Sequence, residues 1–284
     1  MHDASDQAIG LRLEELEALP SVSDFSQALY MLMADLVSLT GAGGPARLAL
    51  AALLDVELLY HTTMNQLVDR AEVSTADLRE LADRHRVGLR GVREFATGLA
   101  PSGALPDAAR WLVVAECCYH LRRTDEVVAA LEQVVSLGVC QPLVQFALGY
   151  NRYMQALEDF TRPGENEGEL TINNPLGFRL QCLQAVAALE DGVGDEHFDA
   201  QLYWWMGVIL EAADLTEAAQ DAYDKSTHLT DAEREGVPQQ WAGGGNWRDV
   251  DEAITEDELR QAAELFKDRF DPSDLLWNGP DERS

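Results

Sequence analysis

Apolar residues recur at intervals of three and four from one end of the chain to the other, and no stretch keeps apolar and polar residues alternating over several strand-length windows. The pattern predicts an all-α fold. In SVSDFSQALYMLMADLVSLTG, the residues Phe25, Leu29, Leu32, Leu36 and Leu39 trace one helical face, with Ser21 or Ser23 as N-cap and Gly41 as the stop. After GAGGP, a helix from about Ala46 to Arg70 is apolar almost all round and belongs at the centre of its bundle. A third helix opens at a capping box, Ser74 to Asp77, and runs to about Thr97, where Gly98, Pro101 and Gly103 break it.

From Pro106 the helices come in pairs separated by turn signals. Thr124 starts one, Gly138 ends it and Pro142 opens the next. TRPGENEGELTINNP, an acidic stretch rich in breakers, reads as an exposed loop over 161–175 inserted into a hairpin. Past residue 230 the character changes: GVPQQWAGGGNW is a linker, the capping box Thr255 to Glu258 begins a short helix, and Asp271 and Pro272 end it. The expected organisation is an N-terminal helical bundle over 1–100, paired helices over 104–230, and a tail over 231–284.

With 284 residues and 46% apolar content, the chain can fill a sizeable core. Its net charge of -29 opposes sequence-independent binding to phosphate backbones and favours a basic or hydrophobic partner. The opening segment MHDASDQAIGLRLEELEALP carries acids where a secretory signal needs a basic start and an apolar run. The most apolar window, LALAALLDVELLYHTTM, is interrupted by Asp55 and Glu57 and is too short to span a bilayer. A cytoplasmic location without a membrane segment is expected. Cys117, Cys118, Cys140 and Cys182 form no CxxC pair and read as reduced core thiols.

One stretch, YWWMGVILEAADLTEAAQDAYDKS, carries a more specific pattern. It resembles the tetratricopeptide repeat, two helices over about 34 residues with WxxLGxxY in the first and spaced small, aromatic and small residues in the second. Tyr203 stands at the Trp position, Met206 and Gly207 at the Leu and Gly, and Leu210 at the Tyr; Ala219, Tyr223 and Ser226 follow in the second helix. A weaker unit around Trp111 places Val114 and Ala115 at the Leu and Gly and Leu131 at the second-helix aromatic, with Val127 and Val134 in place of small residues. A third has Gln145 at the Trp position and Leu148 and Gly149 at the Leu and Gly. The resemblance covers about Pro106 to Thr230 and implies an α-solenoid of about three hairpins, with glycine or alanine wherever two helices cross closely.

Such repeats typically belong to adaptors whose first helices line a concave groove. Carried onto this chain, the groove positions are Leu112, Glu116 and Tyr119, then Phe146, Tyr150 and Tyr153, then Trp204, Val208 and Glu211. Aromatics suit a binding surface because they offer large apolar contact with few rotatable bonds. Some family members clamp a chaperone's terminal carboxylate with Lys, Arg and Asn at positions that here hold Leu112, Glu116, Trp204 and Val208, so that activity is not expected. The implied partner is another protein, presenting an apolar or amphipathic segment with basic flanks. The alternative occupant is the chain's own tail, with Trp241, Trp247 and Trp277. A homodimer through the N-terminal helices also stays open.

A rival reading starts from LRELADRHRVGLRGVREF, which resembles the two-helix core of helix-turn-helix DNA-binding domains. Ala82, Val87, Val92 and Phe95 fall at its small and apolar positions, and Arg79, Arg84, Arg86, Arg90 and Arg93 form the one basic cluster. Against it, Arg86 replaces the usual turn glycine, and a single helix with a solvated arginine face fits equally well. For catalysis there is no HExxH, GxSxG or phosphate loop. Gly243 to Gly245 reads as linker, the acids around His197 (Asp195, Glu196, Asp199) as helix caps, and His120 as a histidine without an orienting partner. The expectation is a non-catalytic adaptor or chaperone-like protein with no metal and no cofactor.

Overall fold

The computed structural model describes Leu29, Tyr30, Leu32, Met33 and Leu36, and then residues 45–68, 74–163, 170–194 and 196–236. Among these the fold is all-α apart from one short ribbon. The helices are α1 (Pro45–Val68), α2 (Thr75–Gly98), α3 (Ala104–His120), α4 (Thr124–Ser136), α5 (Pro142–Phe160), α6 (Pro175–Asp191), α7 (Glu196–Ala212) and α8 (Thr216–Gly236). They fall into two compact units divided between Arg122 and Arg123. The sequence pattern places the division near residues 100–104 instead. The difference arises because α3 packs on α1 and α2.

In the first unit α1 is central, as its all-round apolar surface requires: Leu50, Leu53, Ala49 and Ala51 are fully buried. Leu29, Met33 and Leu36 supply a buried helical face, while Leu32 lies at its edge. Phe25, Leu39 and the predicted caps of that helix are outside the described residues. The capping box opening α2 is present, with the Asp77 N–H donating to Ser74 Oγ at 3.1 Å and the Ser74 N–H to Asp77 Oδ2 at 3.2 Å. At its other end, buried Arg110 of α3 donates from Nη1 to Leu99 O at 2.8 Å, taking up a carbonyl that the ended helix leaves open. The chain leaves α3 through Arg122, whose φ of 56° is left-handed backbone.

In the second unit α4 packs on α5, α5 lies along α6, α6 meets α7, and α7 lies along α8. Short connections make α7 and α8 antiparallel neighbours. The two glycines at the predicted close crossings sit directly against the neighbouring helix. A Cβ on Gly149 would stand 2.7 Å from Leu189 Cγ and 2.9 Å from Ala185 O, and one on Gly207 would stand 2.5 Å from the Tyr223 ring. Ala219 and Ser226, at the repeat's small positions, are buried.

The segment predicted as a plain loop contains structure. Strand β1 (Thr161–Pro163) pairs antiparallel with β2 (Leu170–Ile172), Thr161 opposite Ile172, between α5 and α6. Five of the six strand residues are exposed and the sixth is half-buried, so no alternation of buried and exposed positions betrayed the ribbon. The C-terminal capping box, the glycine linker and Trp241, Trp247 and Trp277 lie outside the described residues. No helix among the described residues is long and apolar enough to cross a membrane.

Candidate functional site

The nine positions assigned to one groove divide between the units. Leu112, Glu116 and Tyr119 belong to the first, and Phe146, Tyr150, Tyr153, Trp204, Val208 and Glu211 to the second. Leu112 and Glu116 are buried, because α1 and α2 cover the face of α3 that the repeat register leaves open. They are core residues, which corrects the expectation for both. Phe146 is buried as well, whereas Tyr119 is exposed.

What survives as surface in the second unit is the outer edge of an aromatic cluster. Phe146 packs edge-on against Phe198 at 5.6 Å and against Trp205 at 6.2 Å; Trp205 meets Tyr150 at 5.0 Å, and Trp204 meets Trp205 at 5.1 Å. Trp204 stands at the margin of this cluster of packed rings while 47% exposed. One and two turns on, Val208 and Glu211 share its side of α7. The Tyr223 hydroxyl donates to Glu211 Oε2 at 2.9 Å, and burial together with that carboxylate pushes the phenol up to about 12. The result is an exposed indole beside an apolar residue and a fixed negative charge.

A second exposed apolar feature was not read from the sequence. Leu176, Leu180 and Leu183 form a stripe along α6, with Leu170 and Ile172 of the ribbon also exposed. The opposite side of α6 buries Phe178, Cys182, Ala185 and Leu189. The helix is apolar on both sides, so its pattern marked it as a helix without showing which side is covered.

The helix-turn-helix reading fails on geometry. α2 runs unbroken from Thr75 to Gly98, so there is no turn at Arg86, and Val87, required inside such a motif, is exposed. Arg84 bonds Glu80, and Arg86 Nη1 sits 3.0 Å from Asp83 Oδ1, both on the same helix. Arg79 and Arg90 are exposed, while Arg93 is half-buried.

The first unit holds a polar cluster in its interior. Glu57 of α1 is 4% exposed and Glu116 of α3 only 2%. His85 Nε2 of α2 lies 2.8 Å from Glu57 Oε1, and His61 Nε2 lies 3.6 Å from Glu57 Oε2. His120 Nε2 lies 3.0 Å from Glu116 Oε1, so His120 has the partner that the sequence reading denied it. Tyr60 stacks on His85 at 4.0 Å, and the His85 and His120 rings are 6.0 Å apart. Burial raises the Glu57 carboxyl, but the imidazoles of His61 and His85 beside it prevail and hold it at about 2. Burial opposes the charge on His120, yet Glu116 and Glu57 lift the ring to about 9. The Tyr30 hydroxyl, buried without a hydrogen-bond partner among the described residues, is pushed well above its ordinary range by burial and by both carboxylates. Among the described residues no three such donors converge on one point, and each histidine is turned toward a carboxylate.

Two features of the sequence carry this cluster: Glu57 and His61, and Glu116 and His120, are the same pair at the same helical spacing inside apolar helices. A charge where a helix has no wet face must find a partner. Elsewhere Cys117, Cys118 and Cys182 are buried as expected, but Cys140 is exposed, because it sits in the turn before α5. Asp199, one of the acids around His197, accepts from the Gly194 N–H at 2.9 Å; the side chains of residues 195–197 lie outside the described residues. Compared with protein-family models, curated proteins and solved structures, the chain matches none.

Proposed function

We propose that the chain is a cytoplasmic, non-catalytic interaction protein of tetratricopeptide-like build, an adaptor or chaperone-like module that holds an amphipathic helix of another protein. The observation that carries this reading is Trp204, 47% exposed and backed by the packed rings of Trp205 and Tyr150. An indole offers wide apolar contact with few rotatable bonds to order on binding, which is the property of an interface anchor. Glu211 beside it and the net charge of -29 favour a helix with an apolar face and basic flanks.

Peptide selection against the full chain tests this. The winning peptides should combine an apolar helical face with Lys or Arg at its ends, and Trp204→Ala should weaken their binding by tenfold or more with helicity unchanged. A double Leu176→Ser, Leu180→Ser variant serves as the contrast on α6, and its binding should match the parent. Equal binding by Trp204→Ala, or loss only in the leucine variant, overturns the assignment to the aromatic face.

A further inference from the structure

One side of α7 presents two chemistries at a set separation. Trp204 is exposed at one point, Glu211 is exposed further on, and half-buried Val208 lies between them. Two helical turns, about 10.5 Å along the axis, separate the indole from the carboxylate, so both face the same way. Each has a neighbour of its own. Trp204 packs edge-on against Trp205 at 5.1 Å, and Glu211 Oε2 accepts from the Tyr223 hydroxyl of α8 at 2.9 Å. That bond orients the carboxylate and leaves Oε1 open to a donor from outside.

The negative character here exceeds one side chain. Glu211 stands in the last turn of α7, which contains no basic residue, and the carbonyl end of a helix carries partial negative charge of its own. Asp214 follows in the turn and is exposed. Arg179 of α6 reaches the same turn, but it donates from Nη2 to the Asp214 carbonyl at 3.4 Å. Among the described residues no Lys, Arg or His pairs with Glu211.

We propose that α7 reads a partner helix by spacing: a large apolar residue of the partner docks on Trp204 and Val208, and a Lys or Arg seven residues from it pairs with Glu211. The inference rests on the aromatic face being the binding surface and adds where the partner's charge must stand. A partner helix laid along α7 advances by the same rise per residue, so residues seven apart match both groups at once. At spacings of four or eleven the charge is still on the partner's docked side, but it falls about 4.5 Å short of Glu211 or about 6 Å past it. A cation at the matching position meets both the Glu211 carboxylate and the negative end of the α7 dipole.

Three alanine-rich helical peptides, each with one Phe and one Arg placed four, seven or eleven residues apart, test this when titrated by NMR into the full chain at low salt. Their net charges are equal, so the general attraction of a chain of net charge -29 is common to all three. The peptide with the spacing of seven should bind about three- to fivefold more tightly than the other two, the gain of a good exposed ion pair. Glu211→Gln should bring the three level. Tyr223→Phe, which keeps the ring against Gly207, should shrink the preference. Trp204→Ala should weaken all three. Equal affinities in the parent, a comparison that needs no variant, overturn the spacing, and so does a preference that survives Glu211→Gln. Absence of binding by every peptide, or binding that Trp204→Ala leaves unchanged, overturns instead the assignment of the aromatic face on which the spacing rests.

Discussion

Gly149 carries a larger share of the architecture than its size suggests. Alanine there improves helix propensity by up to about 1 kcal/mol, but its methyl group meets a leucine side chain and a backbone oxygen at once. The oxygen cannot swing away, so overpacking of about 1–3 kcal/mol outweighs the gain. Gly149→Ala should therefore lower the stability of the second unit, read by denaturant unfolding, with no loss of helical content at low temperature. Both this glycine and Gly207 were legible, because a repeat that nests two helices demands a missing side chain at one spot. Glu116 was not. Its repeat position says groove, and its burial depends on α1 and α2, which are distant in sequence.

At the scale of the element, helix existence and type followed from periodicity, and ends followed where a side chain closes the backbone. Ser74 is the clear case: its hydroxyl and the Asp77 carboxylate satisfy two N–H groups that the first turn leaves open. Ser74→Ala should cost about 1 kcal/mol, measured as a lower unfolding midpoint and faster exchange in the first turn of α2, and Ser74→Thr should restore most of it. The ribbon between α5 and α6 escaped because its pairing is held by backbone hydrogen bonds, with little side-chain burial to leave a trace. The stop at Arg122 escaped for a related reason, since a non-glycine residue takes the left-handed conformation there.

On the scale of the whole molecule, charge dominates. Fifty acids against 21 bases leave the surface repelling itself, and salt should relieve that more than it weakens scattered ion pairs such as Arg123–Glu126. Raising ionic strength from about 0.01 M to about 0.15 M shortens the reach of a charge from about 30 Å to about 8 Å. A gain of about 1 kcal/mol from that screening corresponds to a rise in Tm of about 2–4 °C, which calorimetry across a salt series will measure.

By itself the sequence determined the helical class, the central place of α1, the capping of α2 and the close crossings at Gly149 and Gly207. Each is a local property, set by residues within one or two helical turns or within one hairpin. The tertiary structure alone decided that α3 belongs with α1 and α2, that Leu112, Glu116 and Phe146 are interior while Trp204 is not, and that three histidines from three helices meet two carboxylates. A helix with apolar residues on more than one side can bury any of them, and the choice is made by which neighbour arrives, a fact that spacing along the chain does not contain.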